Sequence, residues 1–305
     1  MRKNILLLSV VFLGVIALQA QDAAQDTTWK SGGVVSATFG QVNLSNWAGG
    51  GFNSITAAGN INLFANYKKG KGSWDNNIIL AYGLLKQGEG DVAKTDDRID
   101  FSSKYGMESS WSPKWNYSLL GNFRTQFTEG LDASGNRISD LMAPAYVLAA
   151  LGMDFKPSDR FSLFLSPVTA KFTYVGDAFL AAAGAYGVEA GTFLVNAQGE
   201  TVVDKKGSSS RSEFGGFLKA AYNQDIMENV NFVSRIDLFS NYEDPQYIDM
   251  NWDSMVSMKV NDYITTSLGV TILYDHDVKI TQDDGIGRRR TQFREVFGVG
   301  FAYKL

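Results

Sequence analysis

The 305-residue chain contains no cysteine, one histidine and only five prolines. Without cysteine there is no disulfide scaffold, thiolate nucleophile, iron–sulfur cluster or Cys-ligated zinc. A single histidine excludes most His-based metal sites. Base is not in excess either: 28 Lys+Arg stand against 32 Asp+Glu, for a formal net charge of −4. That argues against nonspecific nucleic-acid binding. Beyond the first twenty residues no apolar run is long enough for a transmembrane helix. What the chain does have is glycine, 31 residues, and aromatics, 13%. Many glycines and aromatics with little proline suit an all-β chain.

Arg2 and Lys3 precede an almost wholly apolar stretch from Ile5 to Leu18, and Ala20 is followed by Gln21 and Asp22. This is the layout of a secretory signal peptide, with Leu18 larger than the usual residue at −3. A buried N-terminal helix is the alternative, disfavoured because the apolar run ends abruptly in polar residues. No lipobox cysteine is present. The expected organisation is a signal peptide over 1–20, a periplasmic segment over 21–29 and a barrel over 30–305.

From there the chain has period two. Ile99, Phe101, Tyr105, Met107 and Trp111 share one parity, and Asp100, Ser102, Lys104 and Glu108 the other. Val230, Phe232, Ile236 and Leu238 alternate with Asn231, Arg235 and Asp237. Met250, Trp252 and Val256 alternate with Asp249, Asn251 and Asp253, and Phe297, Val299 and Phe301 with Gly298 and Gly300. Strand side chains point to alternate faces, so one face is apolar and the other charged. About twelve such segments are expected, at 30–43, 53–68, 72–87, 97–111, 114–128, 143–156, 159–175, 211–224, 228–242, 246–260, 262–276 and 291–305. Parity switches between Leu165 and Val168, which predicts a bulge at Ser166–Pro167.

Short turns are expected at Lys69-Gly70-Lys71, Ser112-Pro113, Pro157-Ser158, Asp225–Glu228 and Asn261-Asp262. Longer loops alternate with them at 44–51, 87–96, 129–141, 176–210 and 277–290, and 243–246 is a short exception. Aromatics cluster near segment ends, as in the girdles of membrane barrels. The pattern predicts an all-β, transmembrane, antiparallel up-and-down β-barrel of about 12 strands with periplasmic termini, in an outer membrane. A soluble sandwich or a periplasmic lipocalin-like barrel would also alternate, but segments of 13–17 residues far exceed the usual strand length of about 5–6.

The stretches Gln41–Gly51, Asn62–Lys68, Ala81–Gln87, Lys94–Asp100 and Asp225–Asn231 resemble an uncharacterised family of Bacteroidota outer-membrane β-barrel proteins, a domain of unknown function. The resemblance runs over nearly the whole mature chain. It implies fold and location and brings no activity. Leu305 departs from the terminal Phe common in such proteins.

Enzymatic chemistry finds little support. A membrane hydrolase needs a Ser beside His276, and no G-x-S-x-G is present. Asp96-Asp97 and Asp283-Asp284 are expected to be solvated loop acids, with no calcium-loop pattern around them. No catalytic residue, cofactor or metal is expected, and the chain is not read as an enzyme. The expected lumen-lining set is Asp100, Lys104, Glu108, Arg124, Lys219, Arg235, Asp237, Asp249, Asp253 and Lys259, together with Gln126. In the expected register Asp237 faces Asp253 and Lys219 faces Arg235. Such a lumen is either a charge-lined pore or a salt-bridged plug, since twelve strands lie between filled and open barrels.

Within loop 176–210, Asp177 is a candidate cap for a short alanine-rich helix. The loop either folds inward, which is slightly preferred, or serves as a lid or a partner contact. Arg288-Arg289-Arg290 suits lipopolysaccharide phosphates but reads first as a solvated charge run. The function read from the chain is a passive channel for small hydrophilic solutes or ions. The alternative is a non-conducting structural or interaction barrel, a subunit of an outer-membrane assembly. Expected partners are outer-membrane lipid, lipopolysaccharide and, during insertion, the barrel-assembly machinery, with no nucleic acid.

Overall fold

The computed structural model describes residues 28–45, 52–132, 135–261, 263–281 and 286–304. The expected leader, most of the periplasmic segment, the glycines after Trp47, the Asp283-Asp284 pair and Leu305 lie outside the described residues. Twelve long strands form the body: β1 (Trp29–Val42), β2 (Ser54–Lys69), β3 (Gly72–Gln87), β4 (Val92–Glu108), β5 (Trp115–Thr125), β6 (Ala145–Ser158), β7 (Phe161–Tyr174), β8 (Ser210–Met227), β9 (Val230–Asn241), β10 (Ile248–Lys259), β11 (Ile264–Tyr274) and β12 (Gln292–Lys304). Each pairs antiparallel with its sequence neighbours, and β12 pairs with β1, so the sheet closes and leaves no free edge. The twelve strands and the up-and-down order are those the periodicity predicts.

Outward parity is apolar around the wall. Phe39, Phe101, Leu119, Val147, Phe172, Phe214, Trp252 and Phe297 are all exposed. Burying such a band in water would require a second sheet; in a bilayer the hydrocarbon solvates it. At the short-turn end Trp29 packs on Tyr67 and Trp74, with ring centroids 5.1 and 6.0 Å away, and Trp115 packs on Trp111 and Phe155 at 5.7 and 4.8 Å. At the opposite end Phe214 meets Tyr242 at 5.8 Å. These are aromatic girdles at both rims.

The predicted bulge is present. Along β7, Leu165, Pro167, Val168, Ala170 and Phe172 are exposed, whereas Phe164, Ser166, Thr169 and Lys171 are buried. The register steps across this point on both flanks, between Leu151 and Met153 of β6 and between Gly215 and Phe217 of β8. One extra residue in β7 keeps the apolar side chains outside on both halves of the strand. The Ser166 hydroxyl shares its one hydrogen between the carbonyls of Leu151 (2.8 Å) and Val168 (2.9 Å), and Tyr242 donates to the carbonyl of Pro167 (2.7 Å). These bonds satisfy groups that the bulge takes out of the ladder.

Several boundaries differ from expectation. β3 ends at Gln87 as expected, but β4 begins at Val92, so their connection is four residues long and Asp96-Asp97 lie in a strand. Pairing of Leu85 with Ala93 and Lys86 with Val92 carries the ladder past a register shift at Gly83. β6 runs through Pro157-Ser158 and turns at Asp159-Arg160. β8 runs through Met227, and the turn is Glu228-Asn229, with Asn229 at φ 63°. That left-handed residue suits a tight two-residue hairpin. β5 ends at Thr125, so Gln126 lies in a loop, bonded to the Thr128 carbonyl and Ser139.

The strand boundaries also overturn the expected pairing of lumen charges. Lys219 faces Asp237, Arg235 faces Asp253 and Asp237 faces Asn251. Opposite charges therefore stand opposite each other, where the expected register had set like charges together. The tight turn at Glu228-Asn229 and the one-residue shift between Asp225 and Met227 together set the β8–β9 ladder two residues from the expected one, which preserves the faces and changes the partners.

A charge-crossed lumen and its mouth as the candidate functional site

Ion pairs between strands that are not neighbours place their side chains inside the barrel. Arg98 of β4 reaches Asp253 of β10 at 3.1 Å, and Arg294 of β12 reaches Asp96 of β4 at 2.9 Å. Asp253 also accepts a hydrogen bond from Thr271 (2.8 Å). In a ring of twelve strands, β4 and β10 are six apart and stand on opposite walls. Nearer the short-turn end, Lys104 and Lys156 both contact Asp154, at 2.7 and 3.4 Å, and Lys156 also holds Asp75 at 2.7 Å.

The remaining predicted lumen residues fall on the same inward parity. Asp100 accepts from Asn122 (2.7 Å). The Arg124 guanidinium lies 5.9 Å from the Tyr146 ring centroid. Lys219 pairs with Asp237 at 3.1 Å, and Asp249 pairs with Lys171 at 2.6 Å. Glu108, opposite Asn116, and Lys259, opposite Thr265, sit at the short-turn rim. Sequence reasoning omitted Asp75, Asp96, Arg98, Asp154, Lys156, Lys171, Glu213 and Arg294. Strand parity could have found most of them: Lys171 alternates with Ala170 and Phe172, and Glu213 shares the parity of Lys219.

One wall of the lumen is not polar. Leu120, Ala150, Phe164, Phe217 and Phe239, from β5 to β9, form a buried cluster with Leu148 against it. Phe164 is 1% exposed. Phe217 shares inward parity with Lys219, and Phe239 with Asp237, so apolar and charged side chains follow one another along the same face.

At the long-loop mouth, Lys171 also contacts Glu213 at 3.4 Å and Asp275 at 3.9 Å. Arg211 joins Glu213 at 3.2 Å and also Asp277. Burial, reinforced by Asp249 and Asp277 and opposed by Lys171, raises the Asp275 carboxyl above its ordinary range. His276 stacks on Tyr247 with centroids 3.5 Å apart, and its ring nitrogen meets the Tyr274 hydroxyl at 3.4 Å. No serine is among these contacts. Among the described residues no group of three or more acids and histidines could hold a metal ion.

The 176–209 loop lies over this mouth. Asp177 caps helix α1 (Ala178–Ala182), accepting from the Leu180 amide at 2.8 Å, as its sequence predicts. Leu180, Ala181 and Val188 pack on Ala143 and Val175, just outside the ends of β6 and β7. Arg137 pairs with Asp177 at 2.8 Å, Tyr186 donates to the Ile138 carbonyl, and the Gly176 amide donates to Met142 at 2.8 Å. Burial pushes the Tyr186 phenol up to about 12, so it stays a donor. The loop is a lid resting on the 126–144 loop. The slightly preferred inward fold is not what the structure has, because the apolar face of α1 is buried by its neighbours at the rim. Arg289 of the expected charge run donates to the His276 carbonyl.

The family model described as a protein of unknown function (DUF3078) matches residues 39–131. No curated protein matches the sequence. Among solved structures, the chain is similar to the COG4313 outer membrane channel from Pseudomonas putida F1 at 9% identity and a TM-score of 0.38, covering 91% of this chain and 94% of that one. It is similar to the NanC porin at 8% identity and a TM-score of 0.34, covering 90% and 97%. It is also similar to the outer membrane channel DcaP of Acinetobacter baumannii, at 10% identity and a TM-score of 0.28, covering 90% and 96%.

Proposed function

We propose that this chain is an outer-membrane barrel of Bacteroidota that passes small hydrophilic solutes or ions through its charged lumen. The observation that carries the reading is that the ion pair joining opposite walls stays hydrated. The side chains of Arg98 and Asp253 are 24% and 30% exposed, unlike the more buried Lys104–Asp154 and Lys171–Glu213 pairs that lie along the wall on either side of them. A dry salt-bridged plug would bury such pairs, and ions taken out of water cost several kcal/mol each. Channels select solutes with side chains arranged in this way. In this reading the signal peptide over 1–20 exports the chain, residues 21–29 lie in the periplasm and the assembly machinery inserts residues 30–305. Lipid meets the outer wall, and lipopolysaccharide phosphate meets the outer loops.

Single-channel current from the refolded chain in a planar bilayer tests the reading, with and without residues 177–208. Steady current from the intact protein supports it. Current only after the deletion makes the lid a gate. Silence from both forms, with folding verified by heat-modifiable gel mobility, sinks it.

The second reading, a non-conducting interaction barrel, is favoured by one observation. Phe179, Phe193, Leu194 and Val195 of the lid are exposed, with the rings of Phe179 and Phe193 4.9 Å apart. Apolar loop surface of this kind marks contact sites.

A further inference from the structure

Among the ion pairs of the described residues, Arg98–Asp253 reaches furthest around the ring. Lys219–Asp237 joins adjacent strands, Lys104–Asp154 spans one intervening strand, Lys156–Asp75 and Lys171–Asp249 span two, and Lys171–Asp275 at the mouth spans three. Arg98–Asp253 joins opposite walls, and Arg294–Asp96 crosses the three strands β1, β2 and β3. Asp96 and Arg98 are two residues apart and share a face, so both contacts leave the same short stretch of β4. Thr271 stands between Asp253 and Arg294 in the ladder and bonds Asp253 at 2.8 Å, which continues the line along the far wall.

We propose that Asp96, Arg98, Asp253 and Arg294 form a crossbar that sets the narrowest cross-section of the lumen and limits the size of the ion or polar solute that passes. This inference rests on the channel reading. Arginine suits the task because its planar, always charged fork holds a carboxylate across a gap. Each pair is neutral, so the crossbar acts chiefly on size and leaves overall charge preference to the rest of the wall. Water reaches all four side chains, which are between 24% and 37% exposed, so the pairs can part without leaving a charge in a dry interior.

The test is single-channel conductance and polymer exclusion with the full chain, for the parent, for Arg98→Gln with Arg294→Gln, and for the charge swap Arg98→Asp with Asp253→Arg. Removal of both arginines is expected to raise conductance roughly twofold or more and admit larger polymers. The swap, which re-forms a pair, is expected to return both toward the parent. A silent parent with a conducting arginine variant also supports the crossbar, as a closed gate. A conducting parent with unchanged variants overturns the crossbar and leaves the channel reading intact. Silence from folded parent and variants overturns both.

If the arginine variants do not fold, the natural absence of cysteine allows a second route. Thr271→Cys in the otherwise intact chain is treated with a charged thiol reagent. A conductance drop there, with little change for Ser257→Cys deeper in the same lumen, supports the crossbar, and the reverse order overturns it.

Discussion

Lys104 holds the carboxylate of Asp154 at 2.7 Å across the intervening strand β5, and the Asp154 side chain is only 2% exposed. Lys156 adds a longer contact of 3.4 Å to the same carboxylate oxygen, Oδ2, while Oδ1 has no hydrogen-bond partner. Removing Lys104 therefore strips a nearly buried anion of its best counter-charge. Lys104→Met is expected to lower stability by about 3 kcal/mol. Lys156→Met, at a side chain 34% exposed, is expected to cost about 1 kcal/mol. Denaturant unfolding of the detergent-refolded barrel, followed by tryptophan emission, measures both. Equal effects would contradict the roles assigned to the two lysines.

The bulge in β7 makes a second prediction. Ser166 shares its one hydroxyl hydrogen between two carbonyls and accepts from Thr169 at 2.8 Å. Ser166→Ala would leave these groups without their partner at a site 4% exposed, at a cost of about 1–2 kcal/mol. Ser254→Ala, which removes a hydroxyl shared only with Ser234, serves as the comparison and should cost less. The same unfolding measurement compares the two.

Close backbone approach at the bulge gives a third. A Cβ on Gly152 would lie 2.0 Å from the Leu165 carbonyl oxygen and 2.7 Å from the Ser166 Cα, whereas one on Gly59 would meet nothing within 4 Å. Gly152→Ala must push strands apart. Its expected outcome is a barrel with lowered thermal stability on heat-modifiability gels, with Gly59→Ala indistinguishable from the parent.

The lid is predicted to depend on acid. Burial alone would raise the Asp177 carboxyl, but hydrogen bonds from the Leu180 amide and from Arg137 outweigh it and hold the group below its ordinary value of 3.8. A lowered folded-state value means that the ionised carboxylate stabilises the lid fully above 3.8 and loses that effect as pH falls through the lower value. Protease sensitivity of residues 178–208 should be flat from pH 7 to pH 5 and rise only in stronger acid. Asp177→Ala, which removes the cap at about 1 kcal/mol, should be sensitive throughout. Equal sensitivity of parent and variant at neutral pH would refute the cap's role.

How much of this was legible beforehand follows from what alternation can carry. Period two separates Phe172 from Lys171 and Trp252 from Asp253 without any knowledge of partners. It therefore gave the strand number, the faces, and even the Ser166–Pro167 irregularity, where parity switches. It could not give the β8–β9 register. A slip of two residues leaves every side chain on its own face, so Lys219 opposite Arg235 and Lys219 opposite Asp237 look alike to a parity argument. The tight Glu228-Asn229 turn and the adjacent shift decided it. Asp96 and Asp97 were misplaced for a related reason. Polar residues past the membrane band carry no alternation signal, yet Asp97 accepts bonds from Lys94 and from the Phe127 and Thr128 amides.

By itself the sequence determined that this chain is a wall, apolar on one side and charged on the other, because that information is local and repeats along every strand. Which charges meet was decided only by closing the wall into a ring. Arg98 and Asp253 are 155 residues apart, and nothing near either one marks the other as its partner. The apolar cluster of Leu120, Phe164, Phe217 and Phe239 inside a polar lumen, and the lid seated on Ala143 and Val175, were settled in the same way. Packing across a lumen depends on the barrel's curvature and register, and those are properties of the closed sheet, not of any one strand.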